Sequence, residues 1–208
     1  MAHGCFVVIE GPEGAGKSTL IRALGARLAA AGRRHSLWRE PGGTPLAEAA
    51  RNAVLDPALH AGPVSELFLM LAARADLVTK ELRPRIEAGE VVIADRYDLS
   101  TFAYQVAGRG LDEGAVRTAN ALATGGLRPD VTLVLDLEVS AGVARQRAAG
   151  KSPDRMEQEQ EGFHQRVNAA YKSATGVGVV HLDASGSPER VAQGAWDALK
   201  GARPDIFE

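Results

Sequence analysis

Gly11, Gly16, Lys17 and Ser18 stand at the spacing GxxxxGK[ST] within Gly11-Pro12-Glu13-Gly14-Ala15-Gly16-Lys17-Ser18-Thr19. An apolar run, Cys5 to Glu10, precedes this loop and a helix-forming stretch follows it, which is the context that gives the pattern meaning. Glycines let successive backbone N–H groups turn inward on phosphate oxygens, and the positive end of the following helix adds to the attraction. In such a loop Lys17 reaches the β and γ phosphates and the Ser18 hydroxyl holds Mg²⁺. The whole loop, Gly11 to Thr19, is therefore the candidate binding site for a nucleoside triphosphate. A glycine-rich turn that binds nothing is the alternative.

The elements that must position this loop alternate. Short apolar runs at Cys5–Glu10, Ser36–Arg39, Val91–Asp95, Val131–Asp136 and Val179–Asp183 are separated by longer amphipathic stretches, the mark of a parallel sheet covered on both faces. The expected fold is α/β, a three-layer sandwich around five parallel strands. The first helix, Lys17 to Ala31, carries Leu20, Ile21, Leu24 and Leu28 on one stripe and stops at Gly32. Pro41, Gly42 and Gly43 force a turn, and Thr44 or Pro45 opens the next helix. The last few residues are expected to fray.

At 208 residues, with 45% hydrophobic and 24% charged, the chain suits one domain with one substantial core. A formal charge of -2 argues against a strongly basic nucleic-acid platform. The single cysteine, Cys5, forms no internal disulfide and suits a reducing cytoplasm. No apolar run approaches the ~18 residues that span a bilayer, and no leader pattern opens the chain. The sequence reads as soluble and unprocessed, with no membrane partner.

In open parallel sheets ligands sit beyond the carboxyl ends of the strands. Asp95, after four apolar residues, reads either as the carboxylate that helps place Mg²⁺ or as a helix cap. Arg96 follows at once, suiting a phosphate beside the metal or a plain ion pair. By the same logic Asp136 and Asp183 could be functional, but helix capping is the preferred reading and they are assigned no chemistry. In a helix from about Ser65 to Lys80, Leu67, Met70, Leu71, Arg74 and Val78 share one stripe, so Arg74 falls on the buried face. A buried arginine needs a partner, either a structural carboxylate or a ligand acceptor. Arg145, Arg147, Lys151 and Arg155 crowd a stretch rich in turn formers, which reads as a mobile basic lid over about 145–157 or as the solvated end of a helix.

Together these residues resemble the thymidylate kinase family along nearly the whole chain. The resemblance rests on Gly11 to Ser18, Arg39-Glu40-Pro41-Gly42-Gly43-Thr44, Ala72-Ala73-Arg74, Asp95-Arg96-Tyr97-Asp98-Leu99-Ser100 with Tyr104 and Gln105, Arg128-Pro129-Asp130 and Asp154-Arg155-Met156-Glu157. It implies a P-loop kinase that moves the γ-phosphoryl of ATP, with Mg²⁺, to deoxythymidine monophosphate, and it implies a homodimer. By that resemblance Glu13 meets the deoxyribose 3′-hydroxyl, Arg74 the thymine ring, Arg96 the acceptor phosphate, and Ser100, Tyr104 and Gln105 the base and sugar edges. The glutamate in the loop is similar to the bacterial subtype, whose lid supplies catalytic arginines; here those are Arg147 and Arg155.

The chain departs from the pattern at two places. Met70 stands where an aromatic residue is expected to face the base, and Ala149 where a third lid arginine is expected, with Lys151 as its substitute. An acceptor phosphate, with a second pKa of about 6, is already mostly dianionic near neutrality. No general base is needed, and catalysis falls to Lys17, Mg²⁺, Arg96 and the lid. A deoxynucleoside kinase would share the loop but call for a carboxylate base. A GTP-binding switch would need Asn-Lys-x-Asp, and none of Asn52, Asn120 and Asn168 precedes a lysine.

Overall fold

The computed structural model describes residues 4–148, 150 and 154–208. Five strands form one sheet, β1 (Cys5–Glu10), β2 (His35–Arg39), β3 (Val91–Asp95), β4 (Val131–Asp136) and β5 (Val179–Asp183). Their order is β2-β3-β1-β4-β5, and every pair is parallel. The β1 strand lies at the centre and is buried along its whole length, which is why its sequence is a continuous apolar run and does not alternate.

Side chains of β1 nevertheless take opposite sides. Cys5, Val7 and Ile9 join Leu20, Leu24 and Leu28 of α1 (Lys17–Ala30) in one core, while Phe6 and Val8 join Leu77, Leu82 and Tyr97 in another. Glu10, the last residue of β1, is also fully buried. The α1 helix stops where Arg33 N–H reaches back to Leu28 O and Gly32 takes φ 66°, the left-handed turn that glycine permits.

The chain then runs through α2 (Pro45–Leu55), capped by the Thr44 hydroxyl on Ala47 N–H, and α3 (Pro63–Leu77). The helix expected at Ser65–Lys80 begins two residues earlier, because Pro63 suits a first helical position. It also ends as an α-helix three residues sooner. A π-helical segment, Val78–Leu82, takes over before α4 (Arg83–Glu87). Pro84 offers no N–H to the preceding turn and its ring crowds it, and the wider turns relieve that.

After β3 come α5 (Asp98–Thr101), a second π-helical segment at Phe102–Gly108, and α6 (Glu113–Thr124). The basic stretch is partly helical: α7 (Val139–Ala148) carries Arg145 and Arg147 in its last turn. Lys151 and Ala149 lie outside the described residues. α8 (Glu161–Lys172) and α9 (Pro188–Ala202) complete the outer layers.

Two expectations are corrected here. The chain end does not fray: α10 (Pro204–Phe207) docks on α9, with Phe207 fully buried and its ring edge-on to Trp196 at 5.6 Å. An aromatic that can bury its surface is worth ordering, at ~1.5–3 kcal/mol. Asp136 does not cap a helix either; both its oxygens meet His181 Nδ1, at 3.0 and 2.9 Å. His181 sits on β5 opposite Val134, two residues before Asp136 in the strand pairing, which puts its ring within reach of that carboxylate.

Candidate active site

The loop between β1 and α1 has the backbone that its glycines imply. Gly11, Gly14 and Gly16 take φ of 134°, 74° and 94°. A Cβ on Gly14 would sit 2.3 Å from Gly142 O of α7, so this glycine lets the loop pass under the lid helix. Lys17 is 7% exposed and curls over the loop, donating to Gly11 O at 3.0 Å and Pro12 O at 2.9 Å. Burial lowers its pKa, with Arg96 acting in the same direction and Glu13, Asp95 and Glu10 against it. Ser18 Oγ lies 3.3 Å from Asp95 Oδ2, and Asp95 Oδ1 is buried with no hydrogen-bond partner.

Arg96 follows Asp95 with φ 73°, a left-handed conformation that costs a non-glycine residue ~1–2 kcal/mol. The backbone is pinned on both sides: Arg96 N–H donates to Ile9 O at 2.9 Å and Tyr97 N–H to Glu10 Oε1 at 2.8 Å. Its guanidinium is held by Tyr171 OH at 2.7 Å, Ser100 Oγ and Tyr104 OH at 3.2 Å each, and by an ion pair with Glu13. Burial works against this charge, but Tyr104, Tyr171, Glu13 and Glu10 outweigh it and raise the pKa well above the ordinary arginine value. The result is a fixed, permanently charged fork at the end of the sheet.

Arg74 finds the structural carboxylate that its buried position called for. It is 4% exposed and donates from Nε to Glu40 Oε2 at 2.7 Å. Nη1 reaches Thr101 Oγ1 at 2.8 Å and Asn120 Oδ1 at 2.6 Å, and Nη2 reaches Tyr97 O at 2.8 Å. A guanidinium has five N–H donors, so one on Nη2 stays uncommitted. Arg74 also lines a cavity. Burial pushes the Glu40 carboxyl up to about 7 despite Arg74, and Glu40 Oε1 has no partner.

That cavity gathers the sequence-predicted residues Glu13, Met70, Arg74, Arg96, Ser100, Tyr104 and Gln105. Phe68, on the other side of α3, is 61% exposed. A second hollow is lined by Gly14, Gly16, Lys17, Ser18, Thr19 and Asp95. Glu13, Arg96 and Glu40 line both, so the two spaces meet at the Arg96–Glu13 pair. Of the lid cations, Arg145 lines the second hollow and donates to Ala184 O at 3.0 Å. Arg147 lines a separate cleft between α7 and α8. Arg155 is in neither hollow; its Nη2 donates to Glu66 Oε2 at 2.6 Å and its Nε to Val54 O at 2.6 Å.

Three parts of the site escaped the sequence reading. Arg51 lines both hollows and donates to Pro41 O at 2.9 Å; burial lowers its pKa, and neighbouring Arg39 adds to this. Its signal was present, since Ala47, Ala50, Arg51 and Val54 repeat the pattern that exposed Arg74. Tyr171 looks like any core aromatic of an amphipathic helix, and only the fold brings its hydroxyl to Arg96. An apolar hollow beside the loop, lined by Leu20, Arg145, Pro188 and Val191, is assembled from three distant segments.

A phosphate loop that shares one fixed arginine with a neighbouring cavity suits a kinase acting on a phosphorylated acceptor, and the comparisons point to such a family. The thymidylate kinase family model matches residues 9–194. Thymidylate kinase of Deinococcus radiodurans is 48% identical over 171 residues, covering 82% of each chain. That of Thermomicrobium roseum is 47% identical over 195 residues, covering 92% of each, and that of Halothermothrix orenii is 42% identical over 204 residues, covering 96% of this chain and 98% of its own. The loop, the shared arginine and the cavity all fall within residues 9–194, and the chain belongs to the thymidylate kinase family.

Proposed function

We propose that this protein transfers the γ-phosphoryl of ATP to deoxythymidine monophosphate, giving ADP and the diphosphate, in the cytoplasm. The observation that carries the reading is the Arg96–Glu13 pair, which stands where the loop hollow and the cavity lined by Met70, Arg74 and Gln105 meet. An acceptor phosphate on Arg96 would face the donor phosphates on Lys17 across that junction. Glu13, released from Arg96 by the incoming dianion, would then meet the 3′-hydroxyl. The uncommitted Arg74 N–H serves a pyrimidine carbonyl, and Met70 forms the cavity wall one helical turn away. The hollow lined by Leu20, Pro188 and Val191 suits the purine of ATP.

Ser18 and Asp95 fit a divalent cation, because a hydroxyl lies within 3.3 Å of a carboxylate whose second oxygen is buried and unpartnered. Mg²⁺ takes one or two protein oxygens besides waters and phosphates, so no larger carboxylate cluster is required. Such a cation neutralises charge on the phosphate oxygens. The rest falls to the chain: Arg96 orients the acceptor, Lys17 the donor, and Arg147 on α7 closes from the lid side. Because the acceptor is already dianionic, no residue needs to act as base.

The protein is further proposed to work as a homodimer. Val64 and Phe68, one turn apart on α3, are 52% and 61% exposed, and Leu122 on the adjoining α6 is 86% exposed. Among the described residues no helix is long and apolar enough to cross a membrane.

A coupled assay of ADP formation with ATP, Mg²⁺ and a panel of nucleoside monophosphates tests the activity. Deoxythymidine monophosphate should be preferred. Equal turnover of the cytidine and adenosine monophosphates would sink the thymine assignment, and phosphorylation of thymidine in place of its monophosphate would favour the deoxynucleoside kinase.

A further inference from the structure

Glu66 stands in the first turn of α3, is fully buried, and has no part in the phosphoryl transfer described above. Its Oε1 accepts from Gln105 Nε2 at 2.9 Å and Arg109 Nε at 3.1 Å. Its Oε2 accepts from Arg109 Nη2 at 2.8 Å and Arg155 Nη2 at 2.6 Å. Arg109 is shared with Glu159 at 2.7 Å. Met156, whose sulfur lies 3.5 Å from Arg155 Nη2, lines the monophosphate cavity beside Gln105. One carboxylate on α3 thus ties the second π-helical segment to Arg155 in the basic stretch, and through Arg155, which donates to Val54 O, to α2.

Its ionisation is not in doubt on geometric grounds, with two guanidinium groups in contact. Burial alone would push the carboxyl up, but hydrogen bonds from Arg109, Gln105 and Arg155 outweigh it and hold Glu66 below the usual range. An ionised carboxylate only accepts hydrogen bonds. An amide beside a neutral partner could present either end; beside Glu66, Gln105 must turn its NH₂ inward. Its carbonyl oxygen is then the group left for the cavity that Gln105 lines.

We infer that Glu66 is a positioning residue that sets the base selectivity of the monophosphate cavity, by locking the Gln105 amide so that it offers a carbonyl to the base. The inference rests on the function proposed above. An imide ring N–H, as in thymine and uracil, donates to that carbonyl. The corresponding ring nitrogen of cytosine has no hydrogen and meets it lone pair to lone pair, leaving the buried carbonyl unpaired. Arg155, bonded to Glu66 and within 3.5 Å of the Met156 sulfur, keeps the Met156 wall in place.

Steady-state kinetics with the thymidine, deoxyuridine and deoxycytidine monophosphates decide the matter. Glu66→Gln can turn its own N–H toward Gln105 and free the amide to rotate. The ratio of kcat/KM for thymidine over deoxycytidine monophosphate should fall about tenfold, equivalent to ~1.4 kcal/mol, while KM for ATP stays within about twofold. Gln105→Leu should lower the ratio similarly, and Glu66→Gln should then have no further effect on it. If Glu66→Gln does not fold, Glu66→Asp, which keeps the charge but withdraws it from the amide, should shift the ratio in the same direction. A variant that slows both substrates equally at an unchanged ratio would overturn the inference and leave Glu66 a structural ion-pair centre. Failure of the unaltered protein to use thymidine monophosphate would overturn the proposed function instead.

Discussion

The phosphate loop and the monophosphate cavity are built by different means. The loop is one continuous stretch whose shape comes from backbone glycines, and its lysine, Lys17, bonds to the carbonyls of Gly11 and Pro12 within it. The cavity is assembled from α2, α3, α5, the second π-helical segment and the chain before α8, and its residues hold each other. Arg74 alone joins Glu40, Thr101, Asn120 and Tyr97. The groups proposed for catalysis in the loop are therefore separable from the fold, whereas those proposed for recognition in the cavity are also part of the core.

The largest effect should come from breaking the cavity network. Arg74→Ala leaves Glu40 buried without its cation, and removing one partner of a buried pair costs ~3–5 kcal/mol. Thermal unfolding should drop by ~6–20 °C for a chain of this length, with binding of the monophosphate lost as well. A midpoint unchanged within two degrees would show that Arg74 is not structural.

Lys17→Ala makes the opposite case. Turnover should fall by at least ~10²–10³, the scale of losing one preorganised charge donor, while the unfolding midpoint stays within a few degrees. A comparable loss of stability would erase the distinction between the two regions.

Met70→Phe sharpens it. A thioether against an aromatic ring is worth ~0.3–1.5 kcal/mol and an aromatic pair ~0.5–1.5 kcal/mol. Affinity for the monophosphate, measured by calorimetry, should rise by less than about tenfold. Because Phe68 is exposed away from the cavity, Phe68→Ala should leave affinity unchanged.

The smallest effect lies outside both regions. His181 meets Ala174 O through Nε2 and Asp136 through Nδ1, so both ring nitrogens face acceptors and the protonated ring is favoured. Burial would lower its pKa, but the Ala174 and Asp136 bonds and the Asp136 charge prevail and raise it. A raised folded-state pKa gives stability that is full below the unfolded value of about 6.5 and lost as pH rises through the folded value. For so exposed a pair the midpoint should fall by at most ~4 °C, and His181→Gln should remove that step.

What the sequence disclosed follows the same division. Strands, loop and α1 are contiguous signals, and all five strands and the turn at Gly32 stand where apolar runs and glycines put them. Arg74 announced its need for a partner through helical spacing. It could not name Glu40, which is 34 residues away. Glu66, Arg155 and Tyr171 were opaque for the same reason, since a charge or hydroxyl satisfied across elements leaves no periodic trace in its own element. Arg155 carried a lid assignment on charge density and on resemblance, neither of which could show that the fold turns it toward Glu66. The chain end was misjudged because fraying was assigned by position, without weighing the aromatic that Phe207 buries.

The central claim is that two spaces, one for each nucleotide, meet at Arg96 and Glu13. Calorimetric titration, with Mg²⁺, of a ligand joining adenosine and thymidine 5′ to 5′ through a polyphosphate tests it most directly. The account predicts one ligand per chain, binding ~10²–10⁴ tighter than thymidine monophosphate alone and excluding both nucleotides. Binding no tighter than that of ATP, with thymidine monophosphate still able to enter, would contradict it.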